Sequence, residues 1–129
     1  MSVMAPKIPT ERMVQRGILA MAKACFPDVL LHHSPNGAHL AGDAGPLLGD
    51  GMRQGFPDLI AIWDGGVAFM EVKRPFGPRG GGGGEISDPQ RMMLALFGLL
   101  NHNATIVRSQ EEAHAFLRDC GAPCRGELV

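Results

Sequence analysis

A predicted β-hairpin in the middle of the chain constrains the fold more than any other feature. Its two arms, Leu59–Trp63 and Val67–Val72, are rich in β-branched and aromatic residues. Asp64-Gly65-Gly66 lies between them and is typical of a tight hairpin turn. Since the open ends of a hairpin are neighbours, Asp58 and Glu71 are expected to meet in space, although they are 13 residues apart in sequence.

Polar residues at the open end of this hairpin predict a site for a divalent metal. Lys73 follows Glu71 by two residues, so both side chains point to one face of an extended strand. Pro57 has no backbone N–H to give to a neighbouring strand, so the first arm is expected to begin after it. Two carboxylates such as Asp58 and Glu71 are enough for Mg²⁺, which prefers oxygen ligands and keeps several waters. Because divalent metals activate water and neutralise phosphate charge, the set suits phosphodiester cleavage.

The Glu-x-Lys pattern has a second interpretation, which is a solvated ion pair at an exposed strand end. The flanking strands argue against it, because Leu59–Trp63 is wholly apolar and Ala68–Val72 mostly so. Charged residues at the ends of buried strands are typical of functional sites that are built on a sheet.

The N-terminal region predicts a helix from Glu11 to Cys25. Thr10 is a suitable N-cap, apolar residues recur at helical spacing, and Pro27 follows the end. Glu11 lies on or beside the buried stripe, where it could bind metal directly or through water. Its alternative role is a helix-start carboxylate that the helix dipole favours.

The other predicted elements complete an α-β-β-β-α-β-α order without internal repeats. They are a strand at Val29–His33, a helix capped by Ser87 that runs to about Asn101, a strand at Ala104–Val107, and a helix that begins at a Ser109-x-x-Glu112 capping box. Five residues of the Ser87 helix are predicted to be buried: Met93, Leu94, Leu96, Phe97 and Leu100. The order predicts an α/β fold with a central mixed sheet of about four strands flanked by helices.

Two glycine-rich stretches interrupt this pattern. Residues 34–56 form an unusually long predicted loop, and such loops are usually functional or mobile. The run Gly80–Gly84 lacks the Gly-Lys-Ser/Thr of a phosphate-binding loop. It is either a flexible connector or a flap that closes over a substrate. His32, His33 and His39 are expected at the surface or beside a nucleic-acid backbone.

Composition sets the broad limits. The 129 residues are expected to form one domain, with a loose arm at residues 1–9 and a tail at residues 118–129. No apolar run is long enough to span a membrane, and no secretion signal begins the chain. Three cysteines, an odd number, argue against a disulfide framework, so free thiols and a cytoplasmic location in a bacterial or phage-infected cell are expected.

The net charge of −1 permits nucleic-acid binding without demonstrating it. If Glu11, Asp58 and Glu71 serve as metal ligands, 10 of the 13 acidic residues remain against 12 basic ones. A bound divalent metal would then make the site locally positive, and nucleic-acid affinity is expected to be modest without it.

Three short motifs resemble a nuclease family in their order and spacing. They are Gly55-Phe56-Pro57-Asp58-Leu59, Phe69-Met70-Glu71-Val72-Lys73 and Ile86-Ser87-Asp88-Pro89-Gln90. They resemble the virus-type replication-repair nuclease family (VRR-NUC) of the PD-(D/E)XK superfamily. Glu11 with Gln15, Ser87 with Gln90, and the turn Asn36-Gly37 extend the resemblance, which covers roughly Thr10–Phe116.

The resemblance implies a restriction-endonuclease-like α/β/α core and a set of functional roles. Asp58, Glu71 and the backbone carbonyl of Val72 would bind magnesium (Mg²⁺) or manganese (Mn²⁺), and Glu11 a second metal. Lys73 would orient or deprotonate the attacking water. Gln90 would contact DNA or order Lys73, unless its role is only the capping box. Five further residues are candidate DNA contacts: Arg53, Arg74, Arg79, Ser87 and Arg91.

The expected function is therefore a DNA endonuclease of repair, recombination or replication. Structure-selective cutting of branched or junction DNA is expected, because no base-recognition domain is visible. The alternatives are a non-catalytic DNA-binding module with a decayed nuclease fold and a nuclease that acts on RNA. The insertion Gly42–Gln54 departs from the family pattern, as does the glycine run. Three apolar residues of the insertion Gly42–Gln54 predict a homodimer contact: Leu47, Leu48 and Met52.

Overall fold

The computed structural model describes residues 7–35 and 49–126, which form one four-stranded mixed sheet with helices on both faces. In chain order the elements are α1 (Glu11–Cys25), β1 (Leu30–His33), β2 (Leu59–Trp63), β3 (Gly66–Val72), α2 (Asp88–Leu99), β4 (Asn103–Val107) and α3 (Gln110–Asp119). The strands lie in the order β1-β2-β3-β4; β1, β2 and β3 pair antiparallel, and β4 pairs parallel to β3. The predicted α/β class and flanked mixed sheet are confirmed.

The central hairpin has the turn that the sequence predicts. β2 and β3 pair from Leu59 opposite Met70 to Trp63 opposite Gly66. Gly65 has a φ of 87°, a conformation that side chains with a Cβ rarely adopt. The turn is one residue shorter than expected, since β3 begins at Gly66 rather than Val67. Strand bounds also shift by one residue elsewhere: β1 begins at Leu30 and β4 at Asn103.

One face of the sheet packs against α1 and α3 to form the hydrophobic core. Alternate residues of the central strands, including Leu59, Met70 and Val72, are completely buried there, as are Ile18 of α1 and Leu117 of α3. Full burial of one such side chain contributes about 1.5–3 kcal/mol. The core therefore fixes which face each strand residue occupies, because a slip of one residue would turn these side chains outward.

The opposite face packs against α2, which also supplies the crossover that a parallel β3–β4 pair requires. Phe69 of β3 stacks on Phe97 of α2 with ring centroids 4.4 Å apart, and Phe56 meets both rings edge-on. The prediction that Leu100 is buried was wrong. Since α2 ends at Leu99, Leu100 caps the helix and stays 59% exposed. Of the other four residues predicted to be buried, Met93 and Phe97 are so, and Leu94 and Leu96 are half-buried.

The helix starts follow the predicted caps with one exception. Thr10 Oγ1 accepts a hydrogen bond from Met13 N–H, and Ser87 forms a complete capping box with Gln90. Ser109 caps α3 through Glu112 N–H, but the Glu112 carboxylate accepts from Arg108 N–H instead of closing the box on Ser109.

Several sequence predictions lie outside the described residues. They concern Asn36-Gly37, His39, Leu47 and Leu48. Within residues 7–35 and 49–126, none of the helices combines the length and hydropathy needed to cross a bilayer.

Candidate active site

Asp58 and Glu71 form a cross-strand carboxylate pair at the end of the β2–β3 hairpin. The register that sets Ile60 opposite Phe69 and Leu59 opposite Met70 sets Asp58 opposite Glu71 at the next step. Because side chains alternate along a strand, both carboxylates lie on the α2 face with Ile60 and Phe69. Each residue is only 1% exposed. The hairpin thus brings together two acidic side chains and removes both from bulk water.

Pro57 and Val72 complete the backbone of this strand end. Val72 N–H donates a hydrogen bond to Asp58 Oδ2 at 2.8 Å, so the Val72 peptide edge faces the carboxylate. The N–H and C=O of one strand residue point to the same side, so the Val72 carbonyl faces this way too. The register sets Pro57 opposite Val72, and proline has no N–H to offer that carbonyl. Because Pro57 cannot donate to the Val72 carbonyl and Asp58 follows it directly, this strand end presents a carbonyl oxygen of Val72 and a carboxylate of Asp58 on the same side.

Lys73 brings a cation to the same face. Its Nζ lies 3.8 Å from Glu71 Oε1, and the residue is only 8% exposed. Lys73 N–H donates to Val107 O of β4, which continues the parallel ladder past the end of β3 and holds Lys73 in place. A Cβ added to Gly84 would stand 3.2 Å from Lys73 Cδ, so the end of the glycine run packs directly on the lysine stem.

Gln90 connects α2 to the carboxylate pair. Its Nε2 donates to Glu71 Oε1 at 2.7 Å, while its Oε1 accepts from Ser87 N–H at 2.9 Å within the capping box. One side chain therefore caps the helix and fixes a site carboxylate. Gln90 was expected to order Lys73 or to contact DNA; its amide contacts Glu71 rather than Lys73, and the DNA contact stays a prediction.

Gly55 allows α2 to approach this closely. It has a φ of 80°, and a Cβ built there would lie 2.4 Å from the carbonyl carbon and oxygen of Pro89 and 2.7 Å from Gln90 N. Backbone atoms cannot move aside as a flexible side chain can. Only glycine therefore fits where the chain entering β2 crosses the first turn of α2.

The environment of Glu71 strongly favours its protonated form. The pKa of the Glu71 carboxyl is raised from 4.5 to about 8, mainly by burial and next by the charge of Asp58. The Lys73 ammonium lowers this pKa, whereas a hydrogen bond between the Glu71 and Asp58 carboxyls and the charge of Glu11 raise it. Oε2 of Glu71 is buried and receives no hydrogen bond from the described residues. Lys73 supplies one positive charge, so one further proton or cation would balance the two carboxylates.

Glu11 lies at the first residue of α1, half-buried and close enough for its charge to raise the pKa of Glu71. Glu11 therefore lies near the carboxylate pair. Its two sequence interpretations, an outer metal ligand and a dipole-favoured helix-start carboxylate, both fit this position.

The candidate DNA contacts differ in their surroundings. Arg53, Arg79, Ser87 and Arg91 are exposed, and Ser87 is occupied as the N-cap of α2. Arg74 is half-buried, and its Nε is enclosed without a hydrogen-bond partner among the described residues.

Arg108 is a structural residue that the sequence did not reveal. Its guanidinium donates to Arg74 O at 2.8 Å and to Gly84 O at 3.2 Å, and it stacks 4.0 Å over the Phe76 ring. It therefore ties together the two ends of the loop that contains the glycine run. This loop also carries an internal hydrogen bond from Gly77 N–H to Gly81 O. In the sequence Arg108 is a single arginine after β4, and the neighbouring residues do not indicate its role in the loop.

The histidines and cysteines do not form a metal centre within the described part of the chain. There, no group of three or more His, Cys, Asp or Glu side chains is arranged to hold a metal. His32 and His33 are both exposed on β1. Cys25, Cys120 and Cys124 are free thiols, and Cys124 Sγ lies 3.7 Å from His114 Nε2.

The residues at the hairpin end fit a site with fewer side-chain ligands, in which oxygen atoms bind a hard cation. Asp58 and Glu71 provide two carboxylates, and the Val72 carbonyl faces the same point. Mg²⁺ accepts such incomplete protein shells because it keeps waters in its remaining positions. The enclosed Glu71 Oε2 is a donor-free oxygen of the required kind.

Comparisons with known proteins leave the family open. No protein-family model matches the sequence, and searches of curated proteins and of solved structures find no significant match. The resemblance to VRR-NUC nucleases therefore depends on the motif residues alone.

Proposed function

We propose that this protein is a metal-dependent endonuclease that hydrolyses phosphodiester bonds in DNA. One observation carries the proposal: two facing carboxylates, each 1% exposed, share a strand end with a buried lysine. A purely structural role would place three buried ionisable groups together at a high desolvation cost. A site that binds a cation and an anionic substrate would account for that desolvation cost.

Asp58, Glu71 and the Val72 carbonyl would hold Mg²⁺ or Mn²⁺, and Glu11 would act through water or at a second metal. When bound, the metal would polarise the scissile phosphate and lower the pKa of an attacking water. Asp58 is positioned for this role by Val72 N–H, and Glu71 by Gln90 Nε2. Both orienting contacts come from rigid elements, a strand and a helix start, which limits the freedom of the two carboxylates.

Lys73 supplies the positive charge that the chain itself brings to the reaction. Its ammonium is held beside Glu71 Oε1, on the face that the substrate phosphate would approach. In that position it can hydrogen-bond the attacking water and stabilise the charge that builds up on the phosphate oxygens. Its burial keeps competing bulk water away, which strengthens both effects.

Structure-selective cutting, for example of branched or junction DNA, is expected rather than site-selective cutting, because the described fold contains no separate base-reading module. An RNA nuclease and a non-catalytic DNA-binding module are the competing functions. Intact Asp58, Glu71 and Lys73, together with the contacts that orient them, favour catalysis over a decayed site.

Incubation with labelled nucleic acids tests the proposal. The panel would contain linear duplex, flap and four-way-junction DNA and a matched RNA, each with Mg²⁺, with Mn²⁺ and with EDTA. Cleavage of a DNA substrate is expected with either metal and not with EDTA. Cleavage of the RNA alone would support the RNA nuclease, and binding to DNA without any cleavage would support the non-catalytic module.

A homodimer would give this small domain two sites for symmetric cutting, and two-fold dimers are the commonest assembly. Met52, the described member of the predicted contact, is half-buried. Light scattering at micromolar concentration would test this state. A monomer mass that DNA and metal leave unchanged would favour nicking or flap cutting instead.

A further inference from the structure

A cleft of about 670 Å³ lies between the start of α1 and the end of β1, on the α1 face of the sheet. Its lining includes Glu11, Arg12, Gln15, Arg16 and His33. His33 pairs with Leu59, the residue after Asp58, and Ser34 N–H donates to Asp58 O at 2.7 Å. The cleft and the carboxylate pair thus lie at the same end of the strands, the cleft on the α1 face of the sheet and the pair on the α2 face.

Two arginines dominate the outer part of the cleft. Arg12 and Arg16 are four residues apart on α1, so they lie on one helix face, separated by about 6 Å along the axis. Both are exposed, and neither forms an ion pair within the described residues. Their charge is therefore available to a ligand.

The position of Arg12 is unfavourable for the isolated helix. It is the second residue of α1, where the helix dipole and the free N–H groups favour anions over cations. An anion bound at this point would satisfy the arginine and the helix start together. A negatively charged ligand would compensate the cation in the first turn.

The charges along the cleft change sign toward the candidate active site. Arg12, Arg16, His33 and Glu11 line the cleft, and the charge of Glu11 also acts on Glu71 of the carboxylate pair. A chain of phosphates would fit this sequence of charges, with one phosphate at the carboxylates and its metal and the next ones on the arginines. The arginines alone would be enough to bind a single small anion, so such a ligand would not account for the acidic residue Glu11 in the lining.

We propose that this cleft holds the sugar-phosphate backbone of one nucleic-acid strand, with Arg12 and Arg16 each contacting a phosphate next to the scissile one. The inference depends on the proposed nuclease function and names how its substrate strand is held. Contacts of this kind position a strand without reading its bases. The cleft therefore contributes affinity and register, not sequence preference.

Salt dependence of binding tests the cleft without relying on catalysis. Fluorescence anisotropy of the full chain in EDTA, with labelled single-stranded and duplex DNA over a KCl series, gives the slope of log affinity against log salt. Each lost phosphate contact lowers the steepness of that slope by about 0.7 on single strands and about 0.9 on duplex. Arg12→Ala and Arg16→Ala are each expected to do so, and the double variant to lose about twice as much.

Lys23→Ala is the matched control, because Lys23 is exposed in the last turn of the same helix and outside the cleft lining. Its slope should equal that of the wild type. With Mg²⁺, the double arginine variant should show a KM that rises more than kcat falls, the pattern expected when ground-state binding is lost.

The outcomes separate this inference from the nuclease proposal. Wild-type cleavage combined with arginine variants that keep the wild-type slope and KM would overturn the cleft assignment alone. A wild type that binds no DNA at low salt, either in EDTA or with Mg²⁺, would overturn both. Circular dichroism would confirm that the variants, which replace exposed side chains, keep their helix content.

Discussion

The Gln90 carboxamide donates a hydrogen bond to Glu71 Oε1 at 2.7 Å while its own oxygen caps α2 through Ser87 N–H. The start of a helix on one face of the sheet is thereby locked to a carboxylate at a strand end. The position of Glu71 thus depends on α2 as well as on the hairpin. The helix cap and the contact with Glu71 can be separated by mutation. Gln90 takes part in both, whereas Ser87 takes part only in the cap.

Gln90→Ala should lower activity, whereas Ser87→Ala should not. Loss of either cap residue is expected to cost about 1 kcal/mol of stability. Only Gln90→Ala also releases Glu71, and loss of a group that orients a metal ligand typically costs about 10–100-fold in metal affinity or activity. Urea unfolding and cleavage assays on both variants check this. Equal activity losses would show that Gln90 acts only as a helix cap.

Asp58→Asn and Glu71→Gln should abolish cleavage and leave the fold intact. Each replaces a charged candidate ligand by a neutral group of the same shape, and affinity for Mg²⁺ depends on that charge. The expected loss is at least about 10²–10³-fold in rate, the size seen when one electrostatic stabiliser is removed. Cleavage assays in Mg²⁺ with circular dichroism as the folding control measure it. Near-wild-type turnover in either variant would remove that residue from the site.

Lys73→Ala should lose activity but keep metal binding, because an ammonium cannot be a metal ligand. Lys73→Arg provides the matched control, since it keeps the charge in a different shape. Calorimetric metal titration and cleavage assays on the same preparations separate the two effects. If Lys73→Ala lost both properties, the Lys73–Glu71 ion pair would be structural.

The stability of the metal-free protein should fall as pH rises from about 5 to about 8. The pKa of Glu71 is about 8 in the folded state and near 4.5 when unfolded, so the folded state binds this proton more tightly. Stability is therefore greatest at the acidic end of this window and falls through it, by at most about 1.4 kcal/mol per pH unit for one proton. Urea unfolding in EDTA should show this slope in the wild type and lose it in Glu71→Gln. Identical slopes in the two proteins would contradict the assignment to Glu71.

Much of this arrangement follows from local sequence. The Asp-Gly turn and the two strands predict that Asp58 and Glu71 meet in space. The turn that is one residue shorter than expected then sets the two residues directly opposite each other on one face. The capping box of Ser87 and Gln90 is also readable from the chain. These features could be predicted because each depends on residues close in sequence.

The remainder depends on contacts between distant segments. That Gln90 reaches Glu71 follows from the approach of α2 across Gly55, which no spacing rule encodes. Arg108 joins Arg74 to Gly84 across long stretches of chain, and its partners are backbone carbonyls that every residue offers. The exposure of Leu100 was mispredicted because helical periodicity marks a face but not where a helix ends.

Calorimetric titration of Mn²⁺ or Mg²⁺ into the metal-free protein near neutral pH tests the central claim, that Asp58 and Glu71 form a metal site. Because Glu71 is largely protonated at this pH, binding should release a proton, and the measured heat should change with the ionisation enthalpy of the buffer. The wild type is expected to bind metal with this buffer dependence, and Glu71→Gln to bind far more weakly and without it. A folded wild type that binds neither metal, or a Glu71→Gln variant that binds as the wild type does, would contradict the account.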